Sequence, residues 1–383
     1  MSPKPADQFV AIACGGTGGH LFPGMAVGEK LLERGCEVAL LVSNKEVDQL
    51  GARGATGMEI ISTPAVPLLK GNLPKFLRTF WQSFLQTRRL FKTRKPAAVL
   101  AMGGFTSAAP IFAGRVVGAR TAVHESNSIA GRANRLLAPW VNHVFIGFAS
   151  AAHQLGNRSV QFTGTPVRSQ FEPLDPAPCR MALGLDPDSP VLLVMGGSQG
   201  ASAINKAVLE AVPLLQQQIP NIQFLHITGT GNFEGIGASY KAITNRARVF
   251  PFLREMEMAL GAASVAISRA GASSLAEIAA MQLPSILVPY PTAADDHQYH
   301  NARAFAQPGA ARMIVQSQLR SDHLASLVTE IVGDEFIARQ MKDELLKWHY
   351  PSAADQIIKT LLREPDTTAK TEPHSVALRF RPG

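Results

Sequence analysis

A glycine-rich string, Gly15-Gly16-Thr17-Gly18-Gly19, runs straight into His20, and a second, Gly196-Gly197-Ser198-Gln199-Gly200, stands about half a chain later. Each follows an apolar run, Phe9–Cys14 in the first case and Val191–Met195 in the second. Backbone N–H groups at a helix start attract anions, and glycine lets a phosphate come close to them. Neither string is a strict G-x-G-x-x-G, and Val38–Val42 ends in Ser43-Asn44, where a dinucleotide ribose would want Asp or Glu. One such loop fits a tight packing turn as well as an anion site. Two of them, with an imidazole at one exit, point to phosphate chemistry in a cleft.

The most specific stretch is Ser268-Arg269-Ala270-Gly271-Ala272-Ser273-Ser274-Leu275-Ala276-Glu277. It predicts a strand end, a glycine turn and a helix start lined with small residues, an opening suited to a pyrophosphate. Glu277 falls one helical turn after Ser273 on the same face, where a carboxylate accepts from both hydroxyls of a ribose. An early-turn acid favoured by the helix macrodipole is the other reading of Glu277. Gln298 and Asn301 also share a helix face, with amides of the kind that read sugar hydroxyls. His297, His300 and Asp295 suggest no metal centre, because the spacing implies no third and fourth ligand. Met102-Gly103-Gly104-Phe105-Thr106-Ser107 is a further strand-to-glycine turn, and His124-Glu125-Ser126-Asn127 closes another strand at the same sheet edge. Convergence on an acceptor pocket and ordinary helix capping by Ser126 or Asn127 both fit these two strings.

Such groups need elements that deliver them to one edge. Short apolar strands alternate with helical runs: Phe9–Cys14, a helix from about Pro23 to Arg34, Glu37–Val42, Met58–Ser62, Ala98–Met102, Thr121–His124, His143–Ile146 and Val160–Thr163. The pattern restarts with Val191–Met195, Ile222–Ile227, Arg248–Phe250, Ser264–Ser268 and Ser285–Val288. Both halves predict parallel sheets covered on two faces. The break near Gly164-Thr165-Pro166-Val167-Arg168 and the prolines of Phe171–Pro178 suggest the interdomain linker, and a last helix is predicted at Ser352–Leu362. The polar tail, residues 364–383, reads as disordered.

A chain of 383 residues with 46% apolar content fits two full cores. Cys14, Cys36 and Cys179 make an odd count without metal-ligand spacing, which suits a reducing compartment. No apolar run approaches the roughly 20 residues needed to span a bilayer. The net charge of +8 is unevenly placed: Lys70, Lys75, Arg78, Arg88, Arg89, Lys92, Arg94 and Lys95 fall between Leu68 and Pro96 with no acid among them. Phe76, Leu77, Phe80, Trp81, Phe84 and Leu85 recur there at helical spacing. An interfacial helix on an anionic membrane is favoured because the charges share one sign; a core-packed helix with a solvated basic side is the alternative. No nucleic-acid-binding motif accompanies the patch, which argues against a nucleic-acid partner.

The ordered strings from Gly15 to His20, His124 to Asn127, Gly164 to Arg168, Gly196 to Ala201, Ser268 to Glu277 and Gln298 to Asn301 resemble the MurG family of peptidoglycan N-acetylglucosaminyltransferases. The resemblance spans roughly Phe9 to Leu362. It implies an α/β GT-B fold, two Rossmann-like doubly wound parallel-sheet domains facing a deep cleft. Residues 1–168 would form the acceptor and membrane domain, with a C-terminal helix at 349–363 packing back on it, and 169–348 the UDP-GlcNAc domain. The family usually has Gln at the position of Ser126 and commonly Asn at that of Thr165.

Carried over, the family pattern places Ser198 and nearby amides at the donor pyrophosphate, Glu277 at the ribose and the Leu253 backbone at the uracil. Ala272, Ser273, Ser274, Leu275 and Ala276 would line the helix end, Gln298 would read GlcNAc, Asn127 would reach across the cleft, and Arg168 would act near the hinge. Thr17, Gly18 and Gly19 would face the reacting sugar and the acceptor pyrophosphate. The implied reaction converts lipid I, MurNAc-(pentapeptide)-pyrophosphoryl-undecaprenol, to lipid II with inversion and no cofactor or metal. His20 is the first candidate for the base and Glu125 the reserve. Lys75, Arg78, Phe80, Trp81 and Phe84 are candidates for the membrane surface, at the cytoplasmic face of the bacterial inner membrane, where cell-wall and division proteins would be partners. A UDP-GlcNAc 2-epimerase would share the fold but needs carboxylates at the sugar C2. A non-catalytic scaffold would tolerate loss of His20.

Overall fold

The computed structural model describes residues 8–15, 18–43, 54–65, 72–157, 159–197 and 200–363. The tail 364–383, Thr17 and Ser198 lie outside the described residues.

The first domain is built on seven strands, β1 (Phe9–Ala13), β2 (Glu37–Ser43), β3 (Glu59–Thr63), β4 (Ala98–Ala101), β5 (Arg120–Glu125), β6 (His143–Ile146) and β7 (Val160–Phe162). They pair in parallel in the order β3-β2-β1-β4-β5-β6-β7. Every residue of β1 and β4 is buried, as a sheet covered on both faces demands. Among the described residues its helices are α1 (Gly18–Glu33), α2 (Leu73–Thr93), α3 (Ala108–Val116) and α4 (Arg132–Leu137). Two apolar clusters fill the two faces of this sheet, one around Ile12, Leu40 and Leu100, the other around Ala11, Val99 and Val123.

The second domain repeats the plan with β8 (Val191–Met195), β9 (Gln223–Ile227), β10 (Ala247–Phe250), β11 (Val265–Ser268), β12 (Ser285–Leu287) and β13 (Arg312–Met313). Their order is β10-β9-β8-β11-β12-β13, again parallel. Around this sheet lie α5 (Pro176–Ala182), α6 (Ser202–Gln218), α7 (Phe233–Ile243), α8 (Met256–Ala262), α9 (Ala272–Ala280), α10 (His297–Ala306), α11 (Ser321–Gly333) and α12 (Glu335–Leu346). The two-residue β13 escapes sequence reading because it is too short for any period to show.

Two findings revise the sequence reading. Helix α1 begins at Gly18 and carries Pro23 inside it, so His20 lies in the first turn and not in a loop before it. The proline-rich stretch is no free linker: Phe171 is 3% exposed within the second core, and Asp175 caps α5 through a bond from the Ala177 N–H. Asp186 and Asp188 precede β8, at the edge of the sheet away from the glycine loops, where Asp186 accepts from the Asp188 N–H.

The chain then returns. Helix α13 (Ala353–Leu362) presents Ala354, Ile357, Ile358 and Leu361, one helical stripe, to the core of the first domain. Arg34 pairs with Asp355 at 2.6 Å, and Arg120 donates to the carbonyls of Thr360 and Leu361 at the helix end. Just before α13, the Trp348 ring stacks on Phe305 at 4.4 Å and lies 5.4 Å from Phe148. Tyr350 covers Gly164, where φ is +77° and a Cβ would collide with the ring at 2.3 Å. The crossing between domains is thus an aromatic joint with glycine at its closest approach.

Candidate functional site

In each sheet the strand order reverses beside the first strand, between β1 and β4 and between β8 and β11. Ligands of doubly wound sheets bind beyond the carboxyl ends of the strands at that switch point. The loops after β1, β4, β8 and β11 are the glycine and small-residue strings of the sequence. Helix α1 of the first domain lies directly against α9 of the second, so the two switch points share one cleft.

On the first side, the Thr106 hydroxyl donates to the Gly15 carbonyl at 2.8 Å, tying the loop after β1 to the loop after β4. The His20 ring lies on the Gly103–Gly104 turn. A Cβ would come within 3.0 Å of that ring at Gly103 and 3.1 Å at Gly104, and the φ values of +112° and +79° favour glycine independently. The sequence showed a glycine turn here without showing that its purpose is to seat an imidazole.

Glu125, 2% exposed, accepts four hydrogen bonds: from the Asn127 N–H and Asn127 Nδ2 on one oxygen, and from the Gly131 N–H and Asn134 Nδ2 on the other, all at 2.9–3.0 Å. It therefore shapes the loop from Ser126 to α4. His124 behind it is fully buried, with its Nε2 3.0 Å from the Gly164 carbonyl and its Nδ1 3.1 Å from Ser126 Oγ. Burial pushes the His124 imidazole below its ordinary pKa. Ser126 thus serves as a local partner for this ring, and Thr165 packs beside Gly147, where a Cβ would meet its hydroxyl at 2.3 Å.

On the second side, Gly196 and Gly200 are required by close approach: a Cβ would meet the Ala201 N at 2.4 Å and the Thr228 carbonyl at 2.2 Å. Behind this loop, His226 sits between Tyr240 (3.1 Å) and Asn205 (3.1 Å), and burial lowers its pKa to about 3, so it is a neutral packing element. Helix α9 opens after Gly271 with Ala272, Ser273 and Leu275 buried and Ser274, Ala276 and Glu277 partly exposed. Burial drives the Glu277 carboxyl up to about 7, against a downward pull from Arg168 and with a further push from Glu257. Leu253, after β10, packs against the core below. Gln298 accepts from the N–H groups of Ala270 (3.2 Å) and Tyr290 (3.0 Å), which fixes its amide across the loops after β11 and β12.

Asn301 departs from the sugar-reading role its spacing suggested. It is wholly buried; its Oδ1 accepts from Ser128 N (2.9 Å) and Oγ (2.8 Å), and its Nδ2 donates to Asn127 Oδ1 (3.0 Å) and the Ala270 carbonyl (3.1 Å). It is the latch between the domains. Asp295 adds an exposed one, pairing with Arg132 and Arg135 at 3.1 and 2.6 Å. Sequence alone offered no signal that separates a latch from a ligand-facing amide. His20 lies on the turn after β4, Glu125 and Asn127 at the end of β5, Glu277 on α9 after β11, and Gln298 across the loops after β11 and β12, while Gly18 and Gly19 begin α1.

Away from the cleft, α2 exposes Leu73 (52%), Leu77 (47%), Trp81 (56%) and Leu85 (44%), a single stripe at four-residue spacing. Lys75 and Arg78 are exposed beside it. Phe80 and Phe84 are turned toward the protein: Phe80 meets Phe112 edge-on at 6.3 Å, and Phe84 packs on the core. Among the described residues no helix is long and apolar enough to cross a membrane, and no group of three or more metal-ligating side chains occurs.

Two facing Rossmann-like domains with switch-point loops on one cleft define the two-domain α/β GT-B architecture. The chain belongs to glycosyltransferase family 28: the family's N-terminal domain model matches residues 10–146 and its C-terminal domain model residues 191–357. A Syntrophotalea carbinolica protein, 35% identical over 91% of this chain and 96% of its own, is named UDP-N-acetylglucosamine--N-acetylmuramyl-(pentapeptide) pyrophosphoryl-undecaprenol N-acetylglucosamine transferase. A Syntrophus aciditrophicus protein of the same name is 35% identical over 92% of this chain and 98% of its own. The crystal structure of Acinetobacter baumannii MurG superposes with a TM-score of 0.71 at 25% identity, covering 93% of this chain and all of that one. A UDP-N-acetylglucosamine 2-epimerase structure shares the fold, with a TM-score of 0.67 at 12% identity over 93% of this chain and 96% of its own.

Proposed function

We propose that this chain transfers N-acetylglucosamine from UDP-GlcNAc to the C4 hydroxyl of MurNAc-(pentapeptide)-pyrophosphoryl-undecaprenol. The near full-length likeness to transferases named for that reaction carries the reading. In the reaction the C4 oxygen attacks the anomeric carbon, the bond from that carbon to UDP breaks, and the configuration inverts. His20, held on the glycine turn, takes the hydroxyl proton. Glu125 has its lone pairs engaged by four donors and acts as the anchor of the Asn127 loop. Departing UDP is met by the helix start of α9, by Arg168 and by the loop after β8, including Ser198. Thr17, Gly18 and Gly19 face the acceptor pyrophosphate, Leu253 the uracil, Glu277 the ribose and Gln298 the sugar.

The polyprenyl acceptor stays in a bilayer, so the enzyme meets it there as a peripheral protein at the cytoplasmic face. The α2 stripe of Leu73, Leu77, Trp81 and Leu85 supplies apolar insertion, and Lys75 and Arg78 meet anionic headgroups.

Incubation with radiolabelled UDP-GlcNAc and a lipid I analogue tests the reading. Label in a disaccharide lipid, lost in His20→Ala, is the expected result. UDP binding without transfer would overturn the catalytic assignment, and release of UDP-ManNAc would replace it with epimerisation.

A further inference from the structure

Arg269 follows β11, is 8% exposed, and directs its donors to neutral oxygens. Its Nη1 donates to the carbonyls of Val288 and Pro289, both at 3.1 Å, and its Nη2 to Gln316 Oε1 at 2.7 Å. The guanidinium carbon lies 5.3 Å from the Tyr290 ring centroid. The cation therefore ties the loop after β12 to the end of β11, where the Val288 N–H also donates to the Ser268 carbonyl at 2.8 Å. Gln316 comes from the turn after β13 and belongs to none of the glycine or small-residue strings. Both ends of this clamp continue into Gln298. Ala270, next after Arg269, and Tyr290, next after Pro289, are the residues whose N–H groups donate to Gln298 Oε1. Two backbone donors on one atom identify it as the amide oxygen, which leaves Nε2 to meet a ligand.

We propose that Gln316 is a positioning residue for the donor sugar: through Arg269 it holds the two loops that orient the Gln298 amide, so that Gln298 meets the sugar as a hydrogen-bond donor only. A buried guanidinium that loses an acceptor turns toward another or toward water, because an unpaired buried cation is costly. In turning it releases the Val288 and Pro289 carbonyls, the Tyr290 N–H shifts, and the Gln298 amide is free to rotate. Gln316 acts through Arg269 and makes no contact of its own with the sugar. This inference rests on the reading of Gln298 as a donor-sugar contact above.

The test is calorimetric titration with UDP-GlcNAc and, separately, with UDP, with thermal melts to confirm folding. Gln316→Met keeps the side-chain length without the amide oxygen, Gln316→Asn keeps an amide one methylene too short, and Gln316→Glu keeps an acceptor for the guanidinium. The Met and Asn variants weaken UDP-GlcNAc about three- to tenfold and leave UDP within about twofold, while Gln316→Glu restores wild-type affinity for both. Gln298→Glu retains the two accepted N–H bonds, removes the donor, and shows the same selective loss. In a Gln298→Ala background Gln316→Met has no further effect. Losses equal for the two ligands, no loss at all, additivity with Gln298→Ala, or a Gln316→Glu protein as weak as Gln316→Met overturns the proposal while the sugar reading of Gln298 stands. Wild-type affinity for UDP-GlcNAc in Gln298→Glu overturns the donor-only polarity and the proposal built on it. Wild-type affinity in Gln298→Ala overturns the sugar reading and this inference with it.

Discussion

The imidazole of His20 is positioned by what its neighbours lack. Gly103 and Gly104 leave room for the ring and adopt backbone angles that other residues avoid. Gly103→Ala therefore displaces His20, and steady-state kinetics will show kcat falling about tenfold or more while UDP affinity changes little. Glu277 yields a second expectation at this scale. Its carboxyl is held up to about 7 by burial, and in the proposed ribose-binding role a diol donates to the ionised form, so donor binding is expected to release a proton near neutrality. Donor KM falls as pH rises from 6 to 8 in the wild type and is flat in Glu277→Gln. The linkage sign for folding runs the other way. The folded state binds more protons than the unfolded one between the usual carboxyl value and 7, so Glu277 makes the fold less stable as pH rises through that window. Glu277 was legible as a candidate because it follows a strand and a glycine turn at fixed offset, and Gln298 because its amide shares a helix face with Asn301. The purpose of Gly103 and the latch role of Asn301 were hidden, since both depend on a side chain remote in sequence.

Helix α2 shows where periodicity stops informing. The stripes Leu73-Leu77-Trp81-Leu85 and Phe76-Phe80-Phe84 both repeat every four residues and differ by one position, about 100° of rotation. Nothing in the helix itself tells which of them meets α3; Phe112 decides it by receiving Phe80. Replacement of Leu77 and Trp81 by Ser is expected to abolish sedimentation with anionic vesicles while leaving transfer to a short-chain soluble acceptor intact. Phe80→Ser would instead lower the melting temperature of the protein. At α13 the stripe of Ile357 and Ile358 is fully buried, so Ile357→Ala costs about 2–4 kcal/mol in chemical denaturation.

Taken whole, the molecule is two copies of one plan joined by a latch and a joint. The duplication was readable in the two glycine loops and the restart of apolar strands at Val191, and the alternation of strand and helix gave parallel sheets. The mutual placement of the domains was not, because it rests on single buried contacts such as Asn127 to Asn301 and on the Trp348 stack. Asn301→Ala removes four hydrogen bonds and leaves the Ser128 N–H unpaired, a loss on the order of 2–3 kcal/mol for domain closure. Small-angle scattering will report a larger radius of gyration for that variant, and KM for the donor will rise. The exposed pairs of Asp295 with Arg132 and Arg135 contribute less, about 0.2–1 kcal/mol each, and weaken with salt.

The return of α13 has a consequence for how the protein is made. The core of the first domain is closed by Ala354, Ile357, Ile358 and Leu361, which leave the ribosome after every strand of both sheets. A nascent chain that has finished β7 therefore still exposes an apolar groove beside α1, and it must carry that groove while the whole second domain is synthesised. Translation order thus makes the N-terminal half the later of the two to reach its final packing.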